Sequence, residues 1–214
     1  MKVSGTMEKK ILLTIARQYG SGGREIGNRI AELLGIPLYD RELITGAAEA
    51  GDLHPEVCER VDEKAASSLL YTLAMGTGFH TLAHAGGAHL PVNDRLFLLQ
   101  SDYIRARAAE GSGIFIGRCA DYVLRDEPGR LSVFLYAPLE ARCVRVRERH
   151  PELSEGEALD LINKTDRRRA SYYSFYTGGK WGRYDNYHLA LDTHLLGIEG
   201  TARLIAEAAR AMEK

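Results

Sequence analysis

The chain has 214 residues, 45% hydrophobic and 27% charged, the balance of one folded domain rather than a disordered one. Its 28 basic and 29 acidic side chains leave a net charge of −1, which argues against a globally basic nucleic-acid binder. Three separated cysteines (Cys58, Cys119, Cys143), no bilayer-length apolar run and no apolar segment behind MKVSGTMEKK predict a reduced, cytoplasmic, non-membrane chain.

Residues 11–16, Ile-Leu-Leu-Thr-Ile-Ala, are apolar and partly β-branched, as in a strand buried on both faces. A glycine-rich turn follows. Ile26, Ile30, Leu33 and Leu34 then recur at helical spacing, and Gly35 stops the helix. Residues 36–40 are a second extended piece, so the chain opens as a βαβ unit.

Residues 41–110 read as mostly helical, with one or two helices over 55–75 and another over 93–110 capped by Asn93. Strands are predicted at 113–117, 131–136 and 188–192. Pro138 opens a helix to about 150, and Ser154 with Glu157 forms a capping box for a polar helix over 154–175. An amphipathic helix over 198–213 ends the pattern. Five short strands alternating with helices predict an α/β fold, a parallel sheet with helices on both faces. Ligands of such folds bind at the carboxyl ends of the strands.

The turn Gly20-Ser21-Gly22-Gly23-Arg24-Glu25 lies between a strand and a helix. Glycines let backbone amides approach an anion there, and the helix start favours one. Arg24 at the helix start is disfavoured by the dipole unless an anion is near, which points to phosphate. The turn departs from the P-loop pattern GxxxxGK[ST]. Arg17 stands at the first glycine, Gly23 at the lysine and Arg24 at the serine or threonine. Arg24 or Arg17 is left to supply the missing charge, and Ser21, Glu25 or an acidic group at another strand end to meet magnesium.

Several segments in order resemble the cytidylate kinase-like family of P-loop proteins. They are residues 17–27 around the glycine turn, Pro37-Leu38-Tyr39-Asp40, and Gly117-Arg118-Cys119-Ala120-Asp121. Residues 164–173 resemble the family's lid helix, and residues 184–199 its last strand and helix. The resemblance implies a three-layer αβα fold with a five-stranded parallel sheet in the order 2-3-1-4-5. It implies one domain over 1–214, with a helical acceptor-site insert at 41–110 and a lid at 154–183. It implies phosphoryl transfer from ATP, with Mg2+, to a nucleoside monophosphate, CMP or dCMP being the name-giving acceptors. The lost lysine leaves open a catalytically weak nucleotide-binding protein. The shared scaffold leaves open another small acceptor, such as shikimate or dephospho-coenzyme A.

Under that resemblance, Arg17, Gly20, Ser21, Gly22, Gly23, Arg24 and Glu25 bind the ATP phosphates. Arg24, Lys164, Arg167 and Arg169 are the expected catalytic cations, with Asp166 holding one of the lid arginines. Lys164, Arg167 and Arg168 share a helix face and Arg169 turns away from it. Asp40, Arg41, Arg118 and Asp121 are the expected acceptor residues. Arg118 either clamps an acceptor phosphate or pairs with Asp121 or Asp40. Asp40 either contacts the acceptor or caps the helix that follows.

The rings Tyr172, Tyr173, Phe175, Tyr176, Trp181, Tyr184 and Tyr187 read as packing around a lid hinge at 177–180 rather than as a base-stacking platform. His80, His84 and His89 read as polar or interface residues rather than zinc ligands. Segment 65–92 reads either as a subunit interface, making a homodimer, or as a flap over the acceptor.

Overall fold

The structure, a computed structural model, describes residues 10–40, 43, 45–46, 49 and 91–212. Cys58, Arg41, the helices expected over 55–75, the three histidines and most of segment 65–92 lie outside these residues.

Five strands form one sheet: β1 (Leu12–Arg17), β2 (Leu38–Tyr39), β3 (Gly113–Ile116), β4 (Arg130–Tyr136) and β5 (Leu189–Asp192). All pair in parallel, in the order β2-β3-β1-β4-β5. The central strand β1 runs in register with β4 from Leu12 opposite Arg130 to Arg17 opposite Leu135. The helices are α1 (Gly23–Leu34), α2 (Val92–Glu110), α3 (Ala120–Val123), α4 (Leu139–Arg149), α5 (Glu155–Thr177) and α6 (Thr193–Ala211).

Period-two alternation divides β1 between two cores. Leu13 and Ile15 face one side, packed with Ile26 and Ile30 of α1, Ala202 and Ile205 of α6, and Ile114, Ile116, Val133 and Leu135. Leu12 faces the other, with Ile104 and Ala108 of α2, Phe115, and Ala120 and Val123 of α3. Most of these side chains have no solvent exposure, each buried Leu or Ile contributing about 1.5–3 kcal/mol. Helices on both faces give the three-layer αβα sandwich.

Some boundaries differ from expectation. The second strand is only Leu38–Tyr39, and α2 begins after Pro91, so Asn93 sits inside the first turn and is not its cap. The capping box of α5 forms as expected: Ser154 accepts from the Glu157 amide while the Glu157 carboxylate accepts from the Ser154 amide at 2.9 Å. The last helix starts early, at Thr193, capped by Asp192, and bends at the non-helical Gly197. Among the described residues no helix is long and apolar enough to cross a membrane.

Candidate functional site

The carboxyl ends of the strands gather Arg17 at the end of β1, Asp40 after β2, and Arg118 and Asp121 beyond β3. The glycine turn rises from β1 into α1. Gly20 and Gly22 both have φ of 81°, the left-handed region. At Gly22 a Cβ would also lie 2.5 Å from Ile198 Cδ1 and 2.7 Å from Arg145 Nη1. The N-cap of α1 is Gly22, which has no side chain to cap the helix start.

The turn is tied to its surroundings. The fully buried Ser21 donates its hydroxyl to the Gln18 carbonyl at 2.9 Å, and its own carbonyl accepts from Thr193 Oγ1 at 2.8 Å. Asp166 of α5 accepts from the Tyr19 amide at 2.8 Å and from Arg142 Nη1 at 2.6 Å. Arg142 also donates to the Ala137 carbonyl at 3.1 Å and the Tyr19 carbonyl at 3.3 Å. Arg145 Nη1 donates to the Gly20 carbonyl at 3.4 Å. Asp166 therefore holds Arg142 and the turn, where a lid arginine was the expected partner. Its position on α5 faces α4 and the turn.

The two candidate cations of the turn meet one carboxylate. Arg24 gives Nε and Nη2 to Asp40 Oδ2, both at 2.6 Å, and Arg17 Nη2 stands 3.9 Å from Oδ1. An anion near Arg24 was expected from the helix dipole, and Asp40 is one. Gly117, Arg118 and Cys119 have φ of 77°, 53° and 55°, three consecutive left-handed residues. For Arg118 and Cys119 this costs about 1–2 kcal/mol each, and such backbone clusters at functional sites. Cys119 is the N-cap of the short α3.

Beside this bend opens a small cleft, with Arg17, Arg118, Arg169, Asp121, Tyr173 and Trp181 among its lining. Burial raises the Asp121 carboxyl above its ordinary range, and the Tyr173 hydroxyl donates to it at 2.8 Å. The same burial, next to Asp121, raises the Tyr173 phenol.

The lid cations separate. Arg169 reaches inward, donating Nη1 to the Arg17 carbonyl at 3.0 Å and standing 5.8 Å over the Tyr19 ring. Lys164, Arg167 and Arg168 are exposed, and Arg167 Nε donates to the Asn163 carbonyl. The rings of α5 pack as expected: Tyr172, Tyr173 and Tyr176 are buried with Phe97 of α2, and Tyr176 donates to Asp94 at 2.9 Å. Tyr184 is the exception, 77% exposed. Helix α5 ends at Gly178, left-handed at φ 69°, inside the expected hinge.

Both residues expected to meet magnesium have partners within the protein. Ser21 spends its proton on Gln18 in a fully buried position, and Glu25 pairs with Arg149. Among the described residues no three His, Cys, Asp or Glu gather as a metal site.

The sequence model of the cytidylate kinase-like family matches residues 12–195. The chain belongs to the cytidylate kinase-like family. A search among curated proteins finds no match. Among solved structures, an uncharacterized protein from Eubacterium ventriosum is 24% identical, with a TM-score of 0.70 over 94% of this chain and 99% of that one. A shikimate kinase from Bacteroides thetaiotaomicron is 13% identical, with a TM-score of 0.53 over 94% and 99%. TT1252 from Thermus thermophilus is 16% identical, with a TM-score of 0.53 over 94% and 97%. At these identities the likeness is one of fold alone.

The segments resembling cytidylate kinase-like proteins converge in space. The turn, Asp40, the Arg118 bend and Arg169 all border the carboxyl edge. Arg142 and Arg145 were missed. Their signal was an i, i+3 arginine pair on α4, which in sequence looks like an ordinary charged helix face.

Proposed function

We propose that the chain transfers a phosphoryl group from ATP to a small-molecule acceptor bound at the carboxyl edge of the sheet. The observation that carries this reading is the uncapped, glycine-shaped start of α1 beside a cleft lined by Arg17, Arg118 and Arg169. Phosphoryl transfer asks mainly for positioning and for neutralised charge, which amides and arginines supply. The turn receives the donor phosphates. Arg118, Asp121, Asp40 and Arg41 serve the acceptor. Arg169 crosses between the two sides, with Lys164 and Arg167 joining when the lid over 154–183 closes.

Magnesium arrives with the nucleotide and neutralises its phosphates, and no side chain is assigned to hold it. Segment 41–110 is assigned to the acceptor, within one domain. The partners are ATP and the acceptor, with no nucleic acid and no membrane; a homodimer through 65–92 is part of the proposal. The buried free thiols of Cys119 and Cys143 suit a cytoplasmic setting.

Family membership makes CMP and dCMP the first acceptors to try. The test is ADP release from magnesium-ATP across CMP, dCMP, other nucleoside monophosphates, shikimate and dephospho-coenzyme A. One acceptor should raise release well above the ATP-only rate. Turnover on a hydroxyl acceptor alone would move the assignment from nucleotides to another small molecule. A chain that binds ATP yet turns over none would be a nucleotide-binding protein, the reading favoured by Gly23 and Arg24 at the lysine and hydroxyl positions.

A further inference from the structure

We propose that Arg17 supplies the donor-phosphate charge that a P-loop lysine would carry, and that position 23 is glycine because the Arg17 stem fills its side-chain space. This rests on the phosphoryl-transfer reading above and decides between the two cations that the sequence left open.

Arg17 ends β1 and Gly23 begins α1, so they face each other across the turn. A Cβ built on Gly23 would lie 2.8 Å from Arg17 Cγ and 3.0 Å from Arg17 Cβ. Arg17 Cβ is fixed by the backbone, and Cγ moves only by a change of side-chain rotamer. The head of the same side chain runs past Gly117, where a Cβ would collide with Arg17 Nη1. Two glycines from different parts of the chain thus bracket one arginine, one at the stem and one at the guanidinium. Arg169 fixes the backbone beneath it by donating to the Arg17 carbonyl. The side chain is 13% exposed and borders the cleft, beside the uncapped start of α1.

Arg24 is differently disposed. Its side chain is 57% exposed, and both Nε and Nη2 go to one Asp40 oxygen, towards the β2 side of the sheet. Arg17 Nη2 lies 3.9 Å from the other Asp40 oxygen. A guanidinium fork can carry the charge of a lysine to phosphate oxygens with added directional bonds. Lysine at 23 and arginine at 17 are therefore alternatives that exclude each other. The departure from the P-loop pattern at these positions is one exchange, not two losses.

The test is magnesium-ATP affinity of the full chain by calorimetry, with thermal unfolding as a check on folding. Arg17→Gln retains part of the stem and drops the charge, and should weaken ATP by about 10–100-fold, while Arg17→Lys stays within about 5-fold. Gly23→Lys alone should lose ATP binding, and R17A/G23K should bind about 10-fold or more tighter than R17A, because the lysine then has its space. R17Q binding like the parent, or the double variant binding no better than R17A, overturns the inference while leaving the donor reading intact. A parent chain that binds no ATP overturns both. If R17Q does not fold, the comparison of R17A/G23K with G23K decides: the double variant must bind more tightly.

Discussion

The Asp166 carboxylate holds the Arg142 guanidinium at 2.6 Å, with side-chain exposures of only 17% and 8%. The same carboxylate accepts from the Tyr19 amide, and the same guanidinium donates to the Tyr19 carbonyl. Helices α4 and α5 therefore share one clamp on the peptide just before the glycine turn. Removing one partner leaves a largely buried charge uncompensated, which is worse than never having had the pair. Asp166→Ala should cost about 3 kcal/mol and lower the melting temperature by about 6–12 °C. It should also weaken ATP, since the turn loses its anchor. A variant that melts with the parent would show that the clamp carries no stability.

The Tyr173–Asp121 bond sets a pH dependence whose sign is fixed by burial. The folded carboxyl titrates above its ordinary value because burial disfavours the charged form, outweighing the Tyr173 hydroxyl that favours it. The folded state thus keeps its proton longer than the unfolded one. This contribution to stability falls as pH rises from the ordinary carboxyl value through the raised one. Asp121→Asn keeps an acceptor for Tyr173 and has no charge to bury. Melting curves between about pH 4 and pH 8 should show D121N gaining on the parent as pH rises. Tyr173→Phe should instead destabilise by about 1–3 kcal/mol, because the charge loses its donor. A D121N advantage that shrank with rising pH would contradict the sign.

The core was legible because parallel strands buried on both faces read as continuous apolar runs: residues 11–16 and 131–136 announce β1 and β4 directly. β2 was overextended because Ile36 and Pro37 look extended but only Leu38 and Tyr39 pair. Helix α3 was invisible: a four-residue turn gives no periodicity, and Arg118 and Cys119 are left-handed without being glycine. The local glycine turn, with Gly20 and Gly22 both left-handed, could be read from sequence. Arg142 and Arg145 could not, because their bonds to the turn span 123 and 125 residues. The partner of Asp166 was misread for the same reason. Charges close in sequence look like partners, whereas this helix aims Asp166 across to another element.

Arg24 and Asp40 make a second test of which side each cation serves. With Arg24 held by Asp40 and Arg17 assigned to the donor, Arg24→Ala should raise the acceptor KM more than the ATP KM, by about 10-fold or more. Its exposed guanidinium makes a large stability loss unexpected. ADP-release kinetics with each substrate varied in turn give both constants. A larger effect on ATP would return Arg24 to the donor phosphates and weaken the case for Arg17.

The four lid cations should differ in a definite order. Arg169 already borders the cleft and binds the Arg17 carbonyl, so it needs no large motion to act. Lys164 and Arg167 are exposed and act only if the lid closes over the donor. Arg168 is exposed and has no assigned role. Replacing each by alanine should lower kcat by about 100–1000-fold at Arg169, by less at Lys164 and Arg167, and by under about 3-fold at Arg168. Arg169→Lys distinguishes charge from geometry: a lysine keeps the charge but not the fork, so recovery should be partial. If Arg167→Ala proved as damaging as Arg169→Ala, the closed state would have to bring both to the reacting phosphate. Helix α5 would then have to shift against the Tyr176–Asp94 bond that ties it to α2. Tyr176→Phe would then speed lid motion and change the rate of product release.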